Sequence, residues 1–304
     1  MSKIEWPPPL KPGDLLKIVS PSGRLKERDR FDRGVEIWRD RGYRLEYTEH
    51  WDKSYNYLAG TDEQRRESLA EAWFDPECKG ILCARGGYGT MRLLENWQWQ
   101  SQSSVGKWLL GFSDITGLLW GLMSENRGGG VHAPVLTTLG TEPDWSLQRC
   151  FDLVEGRPLE AIAGRGWGGG KIRGRLLPAN LTVATHLLGT PWQPSLENAI
   201  VALEDVAEAP YRLDRMLTQW RLLDAFKGVV GIALGRFSQC ESNPDEWTVE
   251  EMLRDRLGDL NIPIVSDLPF GHDGVNAALP VGVIAELDGD RGTLAIAGSI
   301  KQSK

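Results

Sequence analysis

Short apolar runs alternate with helix-length segments through the first half of the chain, and this alternation restricts its fold more than any other feature. Leu15–Val19 and residues 43–47, 80–84 and 107–112 read as strands. Residues 26–41 carry Phe31, Val35 and Trp38 at helical spacing, with Gly42 placed as a stop. Thr61-Asp-Glu-Gln64 is a capping-box signature that opens a helix running to about Phe74. A further helix over residues 115–123 follows the fourth strand directly. Strands and helices in this order predict a mainly parallel α/β sheet, whose functional groups belong on the loops at strand C-termini.

The alternation falters after residue 157. Gly164-Arg-Gly-Trp-Gly-Gly-Gly170 holds five glycines in seven residues and reads as a linker spanning 161–171. Beyond it, strands are expected at 171–177, 199–203, 228–234 and 264–267, with helices at 180–188, 211–226 and 249–257. Residues 281–287 and 293–297 read as a closing hairpin across Asp288-Gly-Asp-Arg-Gly292. The predicted class is α/β. A Rossmann-like parallel-sheet domain covers 1–160, and a second, smaller mixed α/β domain, rich in strands, covers 172–304.

Charge and cysteine usage narrow the function. The net charge of −7 comes with no basic block, which argues against a nucleic-acid partner. No apolar run reaches 18 residues and the start is short, charged and proline-rich, so the expectation is a cytoplasmic chain without a membrane segment. The four cysteines form no C-x-x-C pair and read as reduced, mostly buried thiols; neither a metal nor a cofactor is expected. Thirteen tryptophans suit a core or an interface, an aromatic-lined cleft being the alternative.

Ser113-Asp114 stands at the join between the fourth strand and its helix. A serine there projects its hydroxyl from the C-terminal edge of the sheet. The N–H groups that follow lack intrahelical partners and carry the positive end of the helix dipole. They could receive the oxyanion made by its attack, although Ser113 would serve equally as an N-cap, and the second glycine of the G-x-S-x-G elbow is missing. Arg85-Gly-Gly-Tyr-Gly89 follows a strand and is either an anion-binding loop or a plain tight turn. Glu204 ends a strand beside Asp205, where a carboxylate can orient a histidine or pair with a surface arginine. His272, in Pro269-Phe-Gly-His-Asp-Gly274, is a candidate base or a solvent-exposed turn residue. His50 falls in a polar loop, His186 on a helix face, and His132 in a loop that could line the site.

Together these signals form a chain-ordered Ser…Glu…His set with supporting glycines. The motifs Ala84-Arg-Gly-Gly-Tyr-Gly89, Gly111-Phe-Ser-Asp-Ile-Thr116, Leu203-Glu-Asp-Val206, Tyr211-Arg-Leu-Asp-Arg215 and Leu268-Pro-Phe-Gly-His272 occur in that order. In them the chain resembles the LD-carboxypeptidase family of serine peptidases, which also contains the microcin C self-immunity peptidases. The resemblance runs from Val19-Ser-Pro-Ser-Gly23 to Leu279-Pro-Val-Gly282. It implies Ser113 as nucleophile, His272 as base and Glu204 as the orienting acid, with oxyanion donors from the backbone of Asp114 and Gly87. It further implies a homodimer and a small peptide substrate, a muropeptide whose L,D-bond before a terminal D-alanine is cut during peptidoglycan recycling. An amidase acting on a peptidyl-nucleotide antibiotic is the alternative within the family. A non-catalytic binder holding an anion on the 85–89 loop is the alternative outside it. One departure is Pro178-Ala-Asn-Leu181, where the family leads one to expect a glycine pair before Asn-Leu. With Ser113 in the first domain and the other two residues in the second, the site is expected in the cleft between domains.

Overall fold

A computed structural model describes residues 4–99, 106–241 and 245–298. The first half runs β1 (Leu15–Val19), α1 (Arg28–Asp40), β2 (Arg44–Tyr47), α2 (Asp62–Phe74), β3 (Cys78–Cys83), α3 (Thr90–Leu94) and β4 (Trp108–Gly111). A 3-10 turn over Ser113–Ile115 leads into α4 (Thr116–Ser124), followed by β5 (Gly130–His132), α5 (Leu136–Leu139) and α6 (Asp144–Val154). The second half holds β6 (Ile162–Ala163), β7 (Arg165–Gly166), β8 (Lys171–Asn180), α7 (Leu181–Leu187), β9 (Ala199–Val206), α8 (Pro210–Leu222), β10 (Val229–Ser238) and α9 (Val249–Leu257). It ends with β11 (Ile264–Ser266), β12 (Leu279–Pro280), β13 (Ile284–Asp288) and β14 (Thr293–Ile296).

The first sheet has the order β12-β5-β4-β3-β1-β2. Its strands are parallel except β12, which pairs antiparallel with β5. Every residue of β1 and β4 is buried, as in strands covered on both faces. Helix α1 turns Phe31, Val35 and Trp38 inward, and α2 opens on the reciprocal Thr61–Gln64 capping box.

The second sheet has the order β6-β14-β13-β8-β9-β10-β11-β7, with β8 to β11 parallel and the outer strands antiparallel. The glycine-rich stretch expected as a linker is its seam. β6 pairs with β14 at one edge and β7 with β11 at the other, and Gly164 alone separates them. One segment thus draws the two edges together, and the sheet closes on itself. Glycine is needed at 164 because a Cβ there would lie 2.1 Å from the carbonyl oxygen of Ser266.

Three further differences bear on the site. β8 extends to Asn180, past the expected end at 177, because its ladder with β9 continues through Ala179–Leu203 to Asn180–Glu204. His132, expected in a loop, closes the short strand β5. Finally, Leu279 and Pro280 leave the second half and pair with His132 and Val131 at the edge of the first sheet. An edge position tolerates proline, which has no N–H to give a ladder.

Helix α4 joins the halves. Thr116 through Met123 are all buried, so it has no solvent face to display. The Trp120 indole N–H donates to Pro178 O across 3.1 Å, and its ring meets that of Trp220. The four cysteines are free and buried.

Candidate active site

Phe112 leaves β4 extended, with φ −144° and ψ −170°, and Ser113 then turns sharply at φ +62°. The left-handed region is uncommon for a residue with a side chain and costs about 1–3 kcal/mol, which the surrounding packing has to sustain. The strand–turn–helix shape of a nucleophile elbow is therefore present, although Ile115 stands where the second glycine would be. Gly86 makes the close approach possible. A Cβ on it would lie 3.0 Å from Ser113 Cβ and 3.1 Å from Ser113 Oγ. Gly87, at φ +116°, packs instead on Gly23.

The side chain of Asp114 is an internal anchor. Its Oδ2 accepts from the Ser22 hydroxyl at 2.6 Å and from the Thr90 N–H at 2.9 Å. Burial pushes its pKa up against the pull of these bonds. Arg65, buried on α2, donates to Gly89 O at 2.9 Å and to Pro21 O, and pairs with Asp62. Loops 20–23 and 85–90 are thereby fixed around the serine turn.

Glu204 is fully buried at the C-terminal part of β9. Its Oε2 lies 2.6 Å from His272 Nδ1, and its Oε1 lies 3.4 Å from Asn180 Nδ2. Burial raises the Glu204 pKa, opposed by the hydrogen bond and charge of His272. Burial alone would lower the pKa of His272. The hydrogen bond and charge of Glu204, helped by Asp205 and Asp273, outweigh it and leave the imidazole above its ordinary value. Asp205 is otherwise engaged: Oδ2 accepts from the Thr182 N–H and hydroxyl at 2.9 and 2.8 Å, and Oδ1 from Asn180 Nδ2 at 3.0 Å. Of two adjacent carboxylates, Glu204 is thus the one at the imidazole.

The two halves meet at Phe112, whose ring lies 4.6 Å from that of His272, centroid to centroid. This contact sets the histidine one residue from Ser113. The Asn180 N–H donates to Thr116 Oγ1 at 2.9 Å and ties the end of β8 to the first turn of α4. Of the residues named from sequence, Glu204 and His272 are in direct contact, and the His272 ring packs on Phe112, the residue before Ser113. His50, beside Glu67, and His186, bonded to Thr182 O, lie outside this set. His132 is fully buried behind Phe112 and Phe270, and so does not line the site. Among the described residues no group of three or more His, Cys, Asp or Glu side chains is arranged to hold a metal ion. Ser22, Thr90, Asn180 and Asn276 were not anticipated. Asn180, the N-cap of α7, lies in Pro178-Ala-Asn-Leu181 and Ser22 in Val19-Ser-Pro-Ser-Gly23, stretches that the resemblance had marked without assigning either residue a role.

The LD-carboxypeptidase N-terminal domain profile matches residues 16–133, and the C-terminal domain profile matches 173–287. A relative from Synechocystis sp., itself only provisionally named a carboxypeptidase, is 58% identical over 95% of this chain and 96% of its own. The murein tetrapeptide carboxypeptidase of Pseudomonas aeruginosa is 34% identical over 80% of this chain and 83% of its own. Among solved structures, the microcin C7 self-immunity protein bound to glutamyl sulfamoyl guanosine superposes with a TM-score of 0.87. That match has 22% identity and covers 98% of this chain and 99% of the other.

Proposed function

Because the chain belongs to the LD-carboxypeptidase family, we propose that it is a serine peptidase that cuts the L,D-bond before the terminal D-alanine of a muropeptide tetrapeptide. Ser113, His272 and Glu204 act as its triad. The observation that carries this reading is the 2.6 Å contact between His272 and buried Glu204, set beside a serine held at φ +62°. With Nδ1–H donating to Glu204, Nε2 keeps a lone pair for the serine proton. Ser113 Oγ attacks the scissile carbonyl while His272 takes its proton. The oxyanion is received by the backbone N–H groups of Asp114 and Gly87. Collapse breaks the C–N bond, and His272 returns the proton to the leaving amine of D-alanine. Water, activated by the same imidazole, then hydrolyses the acyl-enzyme. The murein tetrapeptide named for the Pseudomonas relative supports the choice of substrate. In this reading the enzyme recycles wall peptides in the cytoplasm.

The test offers L-Ala-γ-D-Glu-meso-diaminopimelate-D-Ala, its L-Ala-terminated isomer and a peptidyl-sulfamoyl adenylate to the wild type and to Ser113→Ala, His272→Ala and Glu204→Ala. D-Alanine should be released from the first substrate alone. Each variant should lose at least about 10³-fold in kcat, with losses that do not add, because the three residues act as one unit. Cleavage of the adenylate alone would move the assignment to the antibiotic-inactivating branch. Turnover of none would favour a binding protein.

A further inference from the structure

Behind His272 lies a buried polar cluster that the proposed mechanism does not use. Asn276, 1% exposed, turns its side chain back across the loop that carries the histidine. Its Oδ1 accepts from the N–H of Gly271, the residue before His272, at 3.1 Å, and lies 3.2 Å from His132 Nε2. The Asn276 N–H donates to Glu142 Oε2 at 2.8 Å, and the Ser146 hydroxyl donates to the same oxygen at 2.7 Å. The loop's ends are tied where the Ala277 N–H donates to Pro269 O.

Donor and acceptor chemistry fixes the orientation of these groups. The N–H of Gly271 can only donate, so the asparagine atom facing it is the carbonyl oxygen. A carbonyl oxygen can only accept, so His132 meets it with an Nε2 proton. Burial holds the His132 pKa down to about 3, so the ring is neutral at working pH and Nδ1 carries no proton. His132 Nδ1 and Asn276 Nδ2 have no protein partner among the described residues.

Placement gives the cluster its meaning. His132 ends β5 and is the register partner of Gly111 on β4, two residues before Ser113. Asn276 therefore hooks the loop of the base onto the strand beside that of the nucleophile. Gly271 sits at φ +134°, a conformation few other residues hold, and its N–H is the one that Asn276 receives.

We propose that Asn276, held by His132, is a positioning residue: it fixes the Gly271–His272 backbone against the nucleophile's sheet so that the imidazole spans Glu204 and Ser113 together. The inference rests on the triad reading above. The expected consequence of removing the tether is a slower chemical step with substrate binding largely kept, since a displacement of about 1 Å at a reacting group can cost roughly 10²-fold.

The test measures kcat and KM on the tetrapeptide, and the rate at which a fluorophosphonate labels Ser113. Asn276→Ala should lower kcat and the labelling rate by about 10- to 100-fold with little change in KM. Asn276→Asp keeps an oxygen at the same place and should restore most of both. If Asn276→Ala does not fold, His132→Leu and His132→Gln decide: glutamine keeps a donor near Nε2 and should stay close to wild type, whereas leucine should be slow. Wild-type labelling in Asn276→Ala or His132→Leu, or an Asp variant as slow as Ala, overturns the proposal. His272→Ala separates the two ideas, because wild-type labelling there would remove the triad reading itself.

Discussion

At the scale of single residues, the proposed triad makes the charge state of His272 govern rate and stability in opposite directions. Only the neutral ring can accept the Ser113 proton, and Glu204 holds its pKa above the ordinary histidine value. The rise of kcat/KM with pH should therefore be centred above about 6.5. Stability has the reverse sign. A group whose folded pKa is raised contributes fully below its unfolded pKa and loses that contribution as pH rises through the folded one. A pH–rate profile on the tetrapeptide checks this; a limb centred below 6, with product release shown not to limit, would count against His272 as base. Ser113 and Glu204 fall at strand ends, which apolar runs locate, whereas His272 lies in a loop, and only the ordered motifs of the family resemblance join the three into a proposed triad. Asn276 and Asn180 were not read as site residues, because the side chains they meet, His132, Glu142, Glu204 and Asp205, come from distant segments and leave no spacing to read.

Among the elements, α2 reaches the site through Arg65, whose side chain is 0% exposed. It joins Pro21 O to Gly89 O and so braces two loops that surround Ser113. Burial lowers its pKa, opposed by Asp62, whose own charge is also met by Arg92. Arg65→Met would take from Pro21 O and Gly89 O the donor they share, a loss of about 1–3 kcal/mol, together with slower labelling of Ser113. Urea denaturation tests this; an unchanged midpoint would show that the brace carries no load. Most elements could be placed from periodicity, α2 with a capping box read at its start; α9 has one too, which the sequence reading passed over. β12 could not, since two residues containing a proline make no pattern and exist as a strand only because β5 offers an edge. The seam was misread for a related reason. Glycines that permit backbones to touch look the same in sequence as glycines that let a linker flex.

For the whole molecule, the expected state is a homodimer, proposed on the family resemblance. Leu222, Leu223 and Trp247 stand exposed, apolar area of the kind that subunit contacts cover. Light scattering at micromolar concentration should give twice the mass of one chain; a monomer would refute it. The two-part α/β plan was legible from sequence, but the way its parts share strands was not. That sharing governs how the protein is made. A nascent chain leaves the ribosome N-terminus first, yet β5 waits for β12, and β6 waits for β14. β5 and β6 thus stay without these partners until residues 279–296 emerge, and unpaired strands invite pairing with other chains. Neither half can finish ahead of the other, and a ribosome stalled before that point would hold two unfinished sheets at once.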